Sequence, residues 1–326
     1  MPMKLLKLPI LILEEILKNL NIIELFELSQ CSKKTTPFIK LANTERFKLK
    51  LDLHNNRIMV DGKLEIKVEE TTYKGPEYTD FRNFGDSRQK ICFYPNKNRM
   101  VTFWKDKHFG FVEVFAHVGS LFHCITESVV SNARVPGEVY LEIMKRIVSR
   151  KSEIKKLELK ALLTHDSAKW ILENLKVTET LEIREHYFQG SLENINFPFE
   201  SITKSIYIQS ASWLTLNHLK SMRKCASLEI AGCILNNKDM LEFFELWKSG
   251  EFPKLVYFDV QSPSLTENFT LQGHARLINV VGGWQRVELH GQERYIDRPV
   301  QIRRNDGVTA RVRYYSTTKT LKLIVF

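Results

Sequence analysis

Between Leu8 and Leu20 apolar residues recur every three to four positions, and the spacing predicts an amphipathic helix over the run ILILEEILKNL. Ile10, Ile12, Leu13, Ile16, Leu17 and Leu20 fill one broad arc of its projection, Glu14, Glu15, Lys18 and Asn19 hold the other side, and Leu11 stands among those charges. Pro9 suits a first helical turn, where its missing N–H has no partner to lose. Asn21 with Glu24 three residues on has capping-box spacing and predicts a second helix, IIELFELSQCSKK. Its stripe is read as Leu25, Leu28 and Ser32, with Ile22 and Phe26 off it. Helices of about a dozen residues are marginal alone, and a unit of roughly 40 residues needs a disulfide, a metal or a partner. This pair carries more apolar surface than one interface needs, so a partner is expected.

From Phe47 the period changes to two. Phe47, Leu49, Leu51 and Leu53 alternate with polar residues, as do Ile58 and Val60, then Leu64, Ile66 and Val68 after the Asp61-Gly62 turn signal. These predict a small antiparallel sheet. Tyr73 to Gln89, with Gly75-Pro76 and Gly85, reads as a long loop or linker, followed by strands at Ile91–Tyr94 and Met100–Trp104. Helical spacing returns with Phe111, Val114, Phe115, Val118 and Phe122 around Gly119.

The second half repeats a short apolar doublet: Leu157/Leu159, Leu181/Ile183, Ile206/Ile208, Leu228/Ile230 and Val256/Phe258, with starts 24, 25, 22 and 28 positions apart. Helical patterns at Ser167–Leu175, Leu216–Met222 and Asn237–Trp247 lie between them. One strand and one helix per period is the arithmetic of leucine-rich repeats, though most units lack the ladder asparagine. An irregular α/β layer competes, and a short parallel sheet with helices on one face is favoured. Its outward row would be Glu158, Glu182, Tyr207, Glu229 and Tyr257. The chain ends in a hairpin turning on Asp306-Gly307, closed by Leu321–Phe326. The expected fold is therefore mixed α/β in three parts: a helical start at 1–45, a small β-rich linking region at 46–120, and irregular leucine-rich-like strand–helix repeats ending in a β-hairpin at 121–326.

Composition narrows the function classes. The 326 residues are 43% hydrophobic, enough for a sizeable core, and no apolar run approaches the roughly 20 residues that span a bilayer. Glu14-Glu15 interrupts the first apolar run, which excludes a secretory signal reading. Five scattered cysteines, Cys31, Cys92, Cys124, Cys225 and Cys233, never form a C-x-x-C pair, so a reducing intracellular compartment (cytoplasm, nucleus or both) is expected and the Asn268-Phe269-Thr270 sequon is read as chance. Phosphate-loop, zinc-protease and nucleophile-elbow motifs are missing, and His165-Asp166-Ser167 reads as the capped start of a helix rather than a triad. No catalytic residue, metal or cofactor is assigned. The net charge of +10, with nine cations against four acids between Trp284 and the end, leaves one alternative: nucleic-acid binding through the Arg-rich C-terminal hairpin.

The order Leu8-Pro9, Leu13, Ile16, Leu20, Glu24-Leu25, Leu28 and Cys31-Ser32-Lys33-Lys34 resembles the F-box, with Thr35-Thr36-Pro37 where F-boxes often carry tryptophan. The CSKKT ending, the stretches at Trp213 and Phe258 and the segment from Val300 are similar to nematode proteins that join an F-box to a type-2 F-box-associated domain. The resemblance implies a non-catalytic substrate receptor of an SCF-type cullin-RING ubiquitin ligase. Its F-box would dock on the small acidic linker protein, and through it on the cullin, by way of Leu8, Pro9, Leu13, Ile16, Leu17, Leu20, Leu25 and Leu28. The rest of the chain would hold a protein target.

Overall fold

A computed structural model of the chain describes residues 7–32, 34–42, 47–72, 80–184, 188–189, 197, 199–267, 283–289 and 291–326. Lys33, the first part of the expected 73–89 loop and the Asn268 sequon lie outside them. The chain divides into two compact units, Met1–Lys155 and Lys156–Phe326. The boundary expected after residue 120 thus falls after 155, because the segment in between completes the first unit's sheet and helical layer.

In the first unit, α1 (Ile10–Asn19), α2 (Ile22–Cys31) and the short α3 (Thr36–Ile39) precede β1 (Lys48–Asp52), β2 (Arg57–Val60) and β3 (Leu64–Glu70). Asp61 and Gly62 turn the β2–β3 hairpin with φ of 53° and 66°, the left-handed pair that suits a tight two-strand turn. β4 (Asp80–Phe84), β5 (Ser87–Tyr94), β6 (Arg99–Trp104), α4 (Lys107–Leu121), β7 (Ile125–Val130) and α5 (Gly137–Ser149) follow. The sheet order is β7-β1-β2-β3-β6-β5-β4, with β1–β7 and β3–β6 parallel. β4 and the start of β5 correct the loop reading of 73–89: residues 80–89 form a hairpin around Gly85, whose φ is 61°. Only Phe84 of β4 is buried and its other apolar residue, Phe81, is exposed, so period-two hydrophobicity was absent. α4 lies on β3 and β6 and against α5. At Gly110 a Cβ would come within 2.3 Å of the Trp104 ring, so glycine lets helix and sheet close together.

The second unit alternates strands and helices: β8 (Ile154–Leu159), β9 (Leu163–Thr164), α6 (His165–Asn174), β10 (Val177–Arg184), β11 (Phe188–Gln189), β12 (Ser205–Gln209), α7 (Leu216–Ser221), β13 (Ser227–Ala231), α8 (Asn237–Lys248) and β14 (Tyr257–Gln261). β15 (Trp284–Leu289) and β16 (Gln292–Asp297) form a separate hairpin, and β17 (Val300–Arg303), β18 (Thr309–Tyr315) and β19 (Thr320–Val325) complete the sheet in the order β8-β10-β12-β13-β14-β19-β18-β17. β10, β12, β13 and β14 are parallel, which bears out the strand–helix arithmetic. The rows Leu181–Ile206–Leu228–Phe258 and Ile183–Ile208–Ile230–Val260 are buried, and Phe243 of α8 stacks on Phe258 at 4.2 Å. The cap of α6 is Thr164 rather than the expected Asp166 or Ser167, which lie inside the helix; its hydroxyl accepts from the Ser167 N–H at 3.3 Å.

Candidate docking surface on the first helix

α1 has three faces. Leu13 and Leu17, one turn apart, are 1% and 0% exposed and form the inner one. Glu14 and Lys18 pair at 2.7 Å on the charged one. Two adjacent rows, Leu11–Glu15–Asn19 and Ile12–Ile16–Leu20, line a shallow groove on the third. Ile10, Leu11 and Ile12 are 60, 72 and 50% exposed. Contiguous apolar side chains of this size open to water mark an interaction surface more often than a scattered single residue does.

The second helix sorts its residues differently from the sequence reading. Asn21 caps it, accepting from the N–H groups of Ile23 and Glu24 at 2.9 and 3.1 Å while the Glu24 carboxylate accepts from the Asn21 N–H at 2.8 Å, so the capping box is complete. The buried stripe is Ile22, Leu25, Phe26 and Ser29, and Leu28 is half-buried beside it. Ile22 and Phe26, read as off the stripe, are therefore on it: Phe26 meets the ring of Phe84 at 6.2 Å and that of His117 at 6.2 Å, a target on α4 and β4 that the local pattern does not contain.

Polar groups fasten α2 to the β4 hairpin. Glu27 pairs with Arg82 at 3.0 Å, and the Asn83 N–H donates to Gln30 Oε1 at 2.8 Å. His117 accepts from the Gly85 N–H through Nδ1 at 3.2 Å, and burial pushes its pKa from 6.5 down to about 4, so the ring is neutral at ordinary pH. α2 is thereby held between the hairpin and α4, and α1 packs against the short turn Lys40–Ala42 that follows α3.

Of the eight residues expected at the adaptor, Leu13, Leu17 and Leu25 are buried within the first unit, Leu8, Ile16, Leu20 and Leu28 are half-buried, and Pro9 is exposed. Leu11, read as stranded among charges, is the most exposed apolar residue of the groove, beside Ile12. Its signal in the sequence was adjacency to the Ile12–Ile16–Leu20 row, which a single-arc projection hides.

The second unit presents a polar strand face. In register, Glu182, Tyr207, Glu229 and Asp259 form its row. The fifth position is thus Asp259 and not the expected Tyr257, because the last doublet is Phe258/Val260, two residues later than read. Tyr257 lies on the same face but is covered by Ile296, Val287 and Leu289 of the β15–β16 hairpin. Between that hairpin and the sheet is a cavity of about 490 Å³ whose lining includes Lys156, Lys160, Arg184, Glu182, Glu229 and Arg294. Its ions are interlocked: Lys160 bridges Glu158 and Glu182 at 3.0 and 2.8 Å, and Arg294 reaches Glu229 at 2.7 Å. Against the desolvation that raises it, hydrogen bonds from Lys156 and Lys160 hold the Glu158 carboxyl below its usual range.

Several C-terminal cations have similar internal partners. Arg286 meets Glu293 at 3.1 Å, Arg304 meets Asp306 at 2.6 Å, Arg313 meets Asp297 at 3.0 Å and Lys322 meets Asp259 at 3.1 Å. A phosphate backbone would have to break these pairs, which weakens the nucleic-acid reading. The five cysteines are free, and burial pushes the Cys124 and Cys225 thiols up to about 12. No helix among the described residues is long and apolar enough to cross a membrane.

Residues 5–40 match the family model of the F-box domain, and residues 194–260 match that of the F-box associated family. The chain is also 21% identical over 301 residues to the "Skn-1 dependent zygotic transcript 15 protein" of Caenorhabditis elegans, covering 86% of this chain and 87% of that one. No solved structure matches it significantly. At family level, an F-box joined to an F-box associated region supports a substrate-recognition adaptor of an SCF ubiquitin ligase.

Proposed function

We propose that this chain is a non-catalytic substrate receptor that docks on the small acidic linker protein of an SCF-type ligase through the outward groove of α1, and through it reaches the cullin. The observation that carries the reading is the solvent-facing pair Leu11 and Ile12, continued by Ile16 and Leu20 along the groove, inside the F-box match. Covering a Leu or Ile side chain fully stabilises by about 1.5–3 kcal/mol, so Leu11 and Ile12 together supply a substantial part of a specific interface. The docking set becomes Leu8, Pro9, Ile16, Leu20 and Leu28 with Ile10, Leu11 and Ile12, while Leu13, Leu17 and Leu25 shape the strip from beneath. The chain's net charge of +10 favours encounter with an acidic partner.

The second unit, which contains the F-box associated match, takes the role of target holder. We place the protein target on the polar strand face beside the β15–β16 hairpin, where Arg184 lies 5.5 Å from the Tyr207 ring and backs a mixed polar and aromatic surface. Catalysis is then positional: tethering raises the effective concentration of the target at the charged ubiquitin-conjugating enzyme without any reactive group from this chain. The role sets the chain in a reducing intracellular compartment, cytoplasmic or nuclear.

The test is co-purification of the linker protein with full-length chain, comparing wild type with Leu11→Asp plus Ile12→Asp. Both side chains are exposed, so the variant should melt like wild type and lose the linker. Undiminished recovery by the folded variant overturns the reading.

A further inference from the structure

A strand with an unpaired edge is a template for another chain, and proteins blunt such edges with side chains or by keeping them short. The β4 hairpin is blunted in this way, because the Asn83 N–H donates to Gln30 and the Gly85 N–H at its turn donates to His117. β17 is only four residues long. β15 is six residues long and, among the described residues, pairs with β16 alone.

The backbone of β15 is aligned for a further strand. The Arg298 N–H donates to the Gly283 carbonyl at 3.3 Å, so in the observed register Gln285, Val287 and Leu289 turn their backbone groups toward β16. Trp284, Arg286 and Glu288 therefore aim theirs away from it. The same alternation appears on β16, where the Asp297 N–H leaves the hairpin for the Tyr315 hydroxyl at 3.2 Å. Val287 and Leu289 pack toward Tyr257 and Ile324, which anchors the hairpin by its inner face.

On the solvent face the charges are only half matched. Arg286 meets Glu293 at 3.1 Å, but Glu288 stands directly opposite Glu293, a destabilising like-charge pair, and no cation pairs with Glu288 among the described residues. A second β15 laid antiparallel about Val287 corrects this. Arg286 of each copy then lies opposite Glu288 of the other, and these are the two residues whose N–H and C=O groups point outward, so reciprocal backbone bonds and reciprocal ion pairs form at the same positions. Registers centred on Arg286 or on Glu288 instead set like charges against each other. The self-complementary register is an isologous one, with a two-fold axis at Val287.

We infer that two copies of this chain associate through β15, joining their β15–β16 hairpins into one continuous sheet. Pairing of residues 285–289 makes a small interface, so the dimer forms at about 10–100 µM and dissociates on dilution. Adaptor docking on α1 does not depend on it. A dimer carries two target-holding faces, which converts a weak contact with a target into a bivalent one.

Sedimentation equilibrium of the full-length chain tests this with a pair of charge reversals. Wild type should approach dimer mass as its concentration rises through about 100 µM. Arg286→Glu and Glu288→Arg each set like charges opposite one another and should weaken self-association by at least about tenfold. Mixed in equal amounts, the two variants regain both opposite-charge pairs, and the mixture should associate within about threefold of wild type, a rescue that an unfolded variant could not give. Monomeric wild type at that concentration, single variants that associate as wild type does, or a mixture no tighter than its components would overturn the inference; monomeric wild type would leave the edge to a strand of the protein target.

Discussion

Acidification should loosen the first unit through a single imidazole. His117 is packed edge-on against Phe26 and Phe84, with ring centroids 6.2 and 5.5 Å away, and burial lowers its pKa from 6.5 to about 4. A folded-state imidazole that resists protonation leaves the unfolded chain to take up the proton first. The stabilisation is therefore fully present above 6.5 and is lost as pH falls from there to about 4. At about 1.4 kcal/mol per unit, that interval amounts to about 3 kcal/mol as an upper figure, of which about 2–3 kcal/mol is gone by about pH 4.5. His117→Asn keeps an acceptor near the Nδ1 position for the Gly85 N–H and removes the titration. Hydrogen exchange of the α4 amides in a urea series, for wild type and variant at about pH 7.5 and about pH 4.5, isolates the effect because all other titrating groups are shared. Wild type should lose about 2–3 kcal/mol more than the variant over that range. Parallel losses in the two proteins would refute the argument that this ring is held neutral by burial.

Three further outcomes follow from the packing. Leu17→Ala should destabilise the first unit by about 2–5 kcal/mol, as a fully buried leucine does, whereas Leu11→Ala should stay within about 0.5 kcal/mol; urea midpoints of the two separate the inner from the outer face of α1. Gly110→Ala should destabilise by about 1–3 kcal/mol despite the better helix propensity of alanine, because its Cβ meets the Trp104 ring, and a red-shifted or broadened tryptophan emission would accompany the loss. Asn21→Ala removes the acceptor for two N–H groups and should cost about 1 kcal/mol by thermal melting, with linker binding weakened only as far as α2 frays.

Much of this architecture was legible because local chemistry and packing agree. The Asn21–Glu24 spacing forms the capping box, Asp61-Gly62 turns its hairpin, and the apolar doublets line up as buried parallel rows. What was hidden needed a partner distant in sequence. β4 buries only Phe84 of its five residues, so it lacks the alternation that a half-buried strand writes into its sequence. The last parallel strand could be read in two registers, since a shift of two residues returns side chains to the same faces, and only pairing of Glu229 with Asp259 decides between them. Phe26 found its place against Phe84 and His117, both more than fifty residues away. The docking strip was half legible: the helix and its excess of apolar surface were evident, but which residues face outward depends on tertiary packing that buries Leu13 and Leu17, including the turn at Lys40–Ala42.

The central claim, that the linker protein sits on the outward groove of α1, is tested most directly by photo-crosslinking from single positions. A photoreactive side chain replacing Ile12 of the full-length chain, mixed with purified linker protein, should give a linker adduct. The same group replacing Ile234, an equally exposed apolar residue of the second unit, should give none. Adduct formation from position 234 with none from position 12 would contradict the account.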